Sequence, residues 1–192
     1  MTNRKSLRTY LRIAVVIQLL LVSQVSDGQT LAVKTNLISD VLLVPSLGAE
    51  AVVYDRWSIS LSGSYMPLKQ SLNYYWRTFS VQPEGRYWLT VPLAGPFVGL
   101  GYQFRGYNLG GLPFSHLKDS RSQGRMQGVG ASFGWHWIIS TRWSLEASML
   151  FGWSHLNYDH YADPRSDVVV SRWRANYIGP LDLALNLVYI IK

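Results

Sequence analysis

Cysteine is absent from the 192-residue chain. This excludes disulfides, thiolate metal sites, cysteine nucleophiles and the acylated cysteine that anchors a bacterial lipoprotein. Lysine is scarce: beyond residue 28 it occurs only at Lys34, Lys69, Lys118 and Lys192. A soluble domain usually covers its polar faces with lysine and glutamate, so this scarcity argues against an ordinary water-facing surface. A helical membrane span needs about 20 apolar residues. The apolar run at residues 13–22 has 10. Beyond residue 28 no segment sustains a helical period. Aromatic residues and glycine are plentiful instead, with eight Trp, 12 Tyr and 16 Gly in the chain.

Residues 1–28 read as a secretory leader. Arg4, Lys5, Arg8 and Arg12 form a basic start, the apolar run follows, and Ser26 and Gly28 supply the small residues of a cleavage site before Gln29. The remainder, residues 29–192, is of one-domain size. The leader carries four of the 18 basic residues and one of the 11 acidic ones, so 14 basic and 10 acidic residues remain, a charge of +4. That balance carries no nucleic-acid signature.

Alternation with a period of two recurs along the rest of the chain. In residues 57–65, Trp57, Ile59, Leu61 and Tyr65 share one face and Ser58, Ser60, Ser62 and Ser64 the other. Residues 127–137 and 143–153 repeat the pattern with Val129, Phe133, Trp135 and Trp137, and with Trp143, Leu145, Met149, Phe151 and Trp153. Strands are predicted near 31–38, 47–54, 57–65, 79–89, 96–105, 126–138, 142–154 and 177–191. Eight is an even number, as a closed bacterial barrel needs, and the connections alternate long and short, like external loops and periplasmic turns. The predicted fold is all-β, an eight-stranded antiparallel up-and-down transmembrane β-barrel with both termini in the periplasm of a bacterial outer membrane. Trp57, Tyr87, Trp135, Trp137, Trp143 and Tyr189 then form one aromatic girdle. Tyr65, Phe79, Tyr102, Phe104, Phe151, Trp153 and Tyr177 form the other.

If the apolar face meets lipid, the opposite parity points inward. This predicts an interior polar network of Lys34, Glu50, Glu84, Arg86, Arg105, Glu146 and Asp182. Charges in so narrow a space must pair, because an unpaired buried charge costs several kcal/mol, on the order of 3–5. The lumen of an eight-stranded barrel is just wide enough to be filled by side chains, which argues against an open pore.

Other combinations contain residue types that carry chemistry. His155, Asp159, His160 and Asp163 cluster in the seventh connection, but their spacing matches no strong metal pattern. Ser154, His155 and Asp159 supply nucleophile, base and orienter, yet neighbouring residues on a strand point to opposite faces. His136 faces inward, and His116 lies beside Lys118, Asp119 and Arg121 in a polar connection. Asp55-Arg56-Trp57-Ser58-Ile59 is echoed by Thr141-Arg142-Trp143-Ser144-Leu145, an arginine and tryptophan placed as an interfacial anchor. No catalytic, metal or cofactor-binding residue is assigned.

The runs KTNL (34–37), VQPEGRYWL (81–89), GYNLGG (106–111), GVGASFGWHWIISTRWSLEA (128–147) and NYIGPLDLALNLVYIIK (176–192) resemble a family of functionally uncharacterised small outer-membrane β-barrel proteins of Bacteroidetes. The resemblance covers nearly all of the chain beyond the leader. It implies an outer-membrane barrel with no established activity, some of whose relatives accompany fimbrial or surface-assembly proteins. The reading is a non-enzymatic, monomeric barrel that acts as a membrane-embedded scaffold or surface-binding protein. Its expected partners are outer-membrane lipid or lipopolysaccharide and a surface protein, with no nucleic acid and no cofactor. The alternatives are a lipid-modifying hydrolase or acyltransferase and a narrow channel.

Overall fold

The structure, a computed structural model, describes residues 30–66, 75–110, 121–161 and 169–191. The leader expected at residues 1–28 lies outside the described residues, as do Lys69, His116, Lys118, Asp163 and Lys192.

The described strands are β1 (Leu31–Asn36), β2 (Ser46–Tyr54), β3 (Trp57–Met66), β4 (Tyr75–Trp88), β5 (Gly95–Gly110), β6 (Arg121–Ile138), β7 (Trp143–Tyr161) and β8 (Val169–Ile191). Each pairs antiparallel with its neighbour in sequence. β1 also pairs with β8, from Leu31 opposite Ile191 to Asn36 opposite Asn186, which closes an up-and-down barrel of eight strands. Closure removes the sheet edge at this level, while residues 169–185 of β8 rise above β1 without a β1 partner. The rim where β1 begins and β8 ends is here the lower rim. It carries the short turns around Asp55, at residues 89–94 and at residues 139–142.

The two faces are inverted relative to a soluble barrel. On β3, Ser58 and Ser60 are buried, whereas Ile59 and Leu61 between and beyond them are more than half exposed. Across the molecule Arg86 is 1% exposed while Leu100 is 74% exposed. Alternation forces this arrangement, since successive side chains of a strand must point to opposite faces. The outward-facing aromatic rings meet across strands near both rims. Trp57 and Tyr87 lie 5.1 Å apart and Trp143 and Tyr189 5.0 Å apart at the lower rim, and Phe79 and Phe104 are 5.5 Å apart higher up. The two Arg-Trp-Ser starts share a further device, in that each arginine reaches a neighbouring segment of the chain. Arg56 Nη1 donates to the Leu89 carbonyl at 3.3 Å, and Arg142 Nη1 donates to the Tyr189 hydroxyl at 3.1 Å.

Four features depart from the sequence-based expectation. First, β1 stops at Asn36 and a short helix, α1 (Leu37–Val41), follows. Five residues are too few to display a helical period, so its signal is local capping. Asn36 Oδ1 accepts from Ile38 N at 3.1 Å, and Asp40 accepts from Ser46 N at 3.0 Å and from the hydroxyls of Ser46 and Thr35. Second, β4 to β8 run several residues further at their upper ends than predicted, so one side of the wall stands taller than the side formed by β1 to β3. Those extensions have polar residues on both faces, as in Arg121-Ser122-Gln123-Gly124-Arg125, and hydrophobic alternation could not mark them.

Third, a bulge at Leu181 shifts the pairing of β7 with β8 between Leu150/Asp182 and Phe151/Pro180. Above it the parity of β8 reverses. Tyr177, expected in the outward girdle, pairs with the buried Ser154 and belongs to the inward face, and Ile178 stands beside Trp153 in its place. Fourth, the interior is not polar throughout. Ala32, Trp88, Leu93, Phe97 and Val188 form a buried apolar plug toward the lower rim. Leu93 reaches it from a turn in which its own φ is +59°.

Candidate functional site

The interior charges sit on rows set by the hydrogen-bond register. Glu50 on β2 lies opposite Ser60 on β3, which lies opposite Glu84 on β4. The same row continues through Gly101, Gly130, Gly152 and Gly179 on β5 to β8. One half of the ring therefore carries long charged side chains, and the facing half, lacking side chains at that level, leaves space for them. Backbones also approach closely there: a Cβ on Gly152 would come within 2.8 Å of the Val129 carbonyl carbon.

Arg86 is the centre of the network. Its Nη1 donates to Glu50 Oε2 at 2.8 Å and to Glu146 Oε2 at 2.9 Å, and its Nε donates to Glu84 Oε2 at 2.8 Å. Lys34 Nζ is 2.9 Å from Glu50 Oε2 and 3.5 Å from Glu146 Oε1. Neutral groups satisfy the remaining carboxylate oxygens. Ser58 Oγ donates to Glu50 at 2.6 Å, Asn186 Nδ2 to Glu146 at 2.8 Å, and Gln82 Nε2 to Glu84 at 2.5 Å. His136 Nδ1 lies 3.6 Å from Glu146. Both oxygens of Glu50, Glu84 and Glu146 thus accept hydrogen bonds, as buried ions require if attraction is to offset the loss of hydration.

The charged layer rests on the apolar plug. The Arg86 guanidinium lies 4.3 Å from the centre of the Phe97 ring, which packs 5.0 Å from Trp88. Trp88 Nε1 in turn donates to Ser58 Oγ at 2.9 Å, linking plug and network. Arginine over an aromatic face is attracted by the ring quadrupole, an effect that strengthens away from water. Trp88 and Phe97 were missed by the sequence reading, although parity on β4 and β5 points both inward with Arg86 and Gly99.

Lys34, Glu50, Glu84, Arg86 and Glu146 thus come together in one buried cluster. Arg105 and Asp182 do not join it. They pair with each other at 2.9 Å nearer the upper mouth, partly open to solvent. The other sequence candidates are dispersed. Ser154 is buried on the inward face, while His155 stands on the outward face with Nδ1 2.8 Å from Asn176 Oδ1 and its ring stacked on Trp153. His160 lies on the inward parity, opposite Ser122, and Asp159 is 3.4 Å from Arg172 on the outward one. Among the described residues no group of three His, Asp or Glu is placed to hold a metal ion. The arrangement offers buried ion pairing across a lumen.

The chain belongs to the family of proteins of unknown function designated DUF3575, which it matches over residues 13–191. No curated protein matches it significantly. Among solved structures it is similar to Neisserial surface protein A (NspA), with 15% identity and a TM-score of 0.38, over 85% of this chain and 94% of that one.

Proposed function

We propose that this member of a family of unknown function is a non-enzymatic scaffold embedded in a bacterial outer membrane, its lumen closed by the Arg86-centred network. The observation that carries the reading is the inversion of the barrel: fully buried ions inside a closed ladder, and an exterior of exposed apolar side chains bounded by aromatic rings. A soluble protein rarely exposes a large contiguous apolar surface. A bilayer, by contrast, favours that exterior and admits closed barrels because every backbone group is satisfied internally. The connection between β1 and β2 supports the same placement, since Val41 and Leu43 are exposed beside the upper aromatic level.

In this reading the lower rim, with both ends of the barrel and the short turns, faces the periplasm, and the tall wall of β4 to β8 faces outward. That wall and its loops are the part available to a surface protein, with a role in surface or fimbrial assembly of a Bacteroidetes cell envelope as the resemblance suggests. A plugged barrel suits anchoring and display rather than transport. The test is reconstitution in planar bilayers together with cross-linking on intact cells. The expected result is insertion with a flat current trace and capture of a surface protein through the upper wall. A steady large conductance would replace the scaffold with a channel.

A further inference from the structure

Above the upper aromatic level the outer face of the wall changes from apolar to basic. Register places this without ambiguity. Phe79 on β4 lies opposite Gly106 on β5, then Arg125 on β6, Asn157 on β7 and Arg174 on β8. One level higher, Arg77 begins a row that ends at Asp159 and Arg172. Residues opposite one another share a face. β4 to β7 pair here without a register shift, so Arg77 and Arg125 share the outward face of Phe79. The bulge at Leu181 brings Arg172 and Arg174 onto it as well. All four arginines are exposed. Among the described residues, the salt bridge on this outward face joins Asp159 to Arg172, at 3.4 Å. Arg125 stands four residues beyond Val129, about 13 Å further along the strand at roughly 3.3 Å per residue.

We propose that this basic face binds the phosphate groups of a phosphorylated glycolipid in the leaflet around the upper half of the barrel. The proposal rests on the membrane placement above and names the partner of its outer wall. Three properties select that occupant. The arginines begin just beyond the aromatic rings that mark the lipid–water boundary, which is headgroup height. Their planar, forked guanidinium groups match phosphate oxygens in pairs. Asn157 lies between Arg125 and Arg174, and Gln127 and Asn176 lie one level lower on the same face; their neutral amides donate to and accept from sugar hydroxyls. An acidic protein surface would satisfy the charge, whereas a sugar-bearing headgroup also uses the amides on this face.

The full chain, folded in neutral detergent micelles, is titrated with bisphosphorylated lipid A, with its dephosphorylated form and with inorganic phosphate, binding being counted by native mass spectrometry. The expected result is binding of the bisphosphorylated lipid that weakens at least tenfold in Arg77→Gln/Arg125→Gln/Arg174→Gln. The dephosphorylated lipid should bind wild type no better than it binds the variant, and inorganic phosphate should not compete at equal concentration. Equal binding of the bisphosphorylated lipid by wild type and variant, equal binding of the two lipids, or competition by inorganic phosphate overturns the proposal. Heat-resistant migration of the variant reports that it is folded; if it does not fold, Arg125→Gln alone is used, with a threefold loss expected and no loss overturning the idea. Insertion of wild type into phosphatidylcholine vesicles is read separately by protease protection. Failure to insert overturns the membrane reading and this proposal together, whereas insertion with phosphate-independent lipid binding overturns the proposal alone.

Discussion

Arg86 on β4 and Glu146 on β7 meet across the lumen, Nη1 to Oε2 at 2.9 Å, with both side chains at most 1% exposed. β4 and β7 are not neighbours in the ring, so this bond joins walls that no backbone ladder joins. Removing either partner strands a buried charge.

Arg86→Ala is therefore expected to lower the stability of the detergent-solubilised barrel by about 3–5 kcal/mol. Arg172→Ala, at an exposed pair, should cost about 1 kcal/mol or less. Urea unfolding followed by tryptophan fluorescence measures both. Equal midpoints for the two variants would mean that Arg86 does not hold the barrel together.

Gly152→Ala places a methyl group against the backbone of the adjacent strand, where the Val129 carbonyl cannot move without breaking the β6–β7 ladder. The expected loss is about 1–3 kcal/mol, the usual cost of overpacking. Gly85→Ala is the control, because an added Cβ there meets nothing within 4 Å. A Gly152→Ala barrel as stable as Gly85→Ala would contradict the close approach.

Topology is tested on intact cells with single cysteines introduced into the cysteine-free chain. Asn108→Cys and Arg172→Cys on the upper wall should react with an impermeant maleimide, and Thr141→Cys in a lower turn should react only after lysis. The reverse pattern would invert the barrel in its membrane.

His155→Ala should leave the acylation pattern of membrane lipids unchanged when expressed beside wild type. The ring faces outward over Trp153, and Ser154 points into the lumen, so no proton can pass directly between them. A lipid change caused by wild type and lost in the variant, read by mass spectrometry of extracted lipids, would establish an enzyme.

Much of this protein is determined by sequence alone, because the period of two is a local property of an extended backbone. Ser58, Ser60 and Ile59 declare their faces from three consecutive positions, and the same count points Glu84, Arg86 and Glu146 inward without reference to any partner. The number of strands and the long and short connections follow from where alternation stops and starts. Pairing is a different matter. Whether Arg86 meets Glu50, Glu146 or Asp182 depends on the register summed over several ladders and on the tilt that closure imposes, so only the tertiary structure decides it. It separates Arg105 and Asp182 from the central cluster for that reason. The bulge at Leu181 is also invisible to alternation, yet one extra residue turns Tyr177 inward and Arg172 and Arg174 outward. Face is written residue by residue; the company each side chain keeps is decided by how eight strands close on one another.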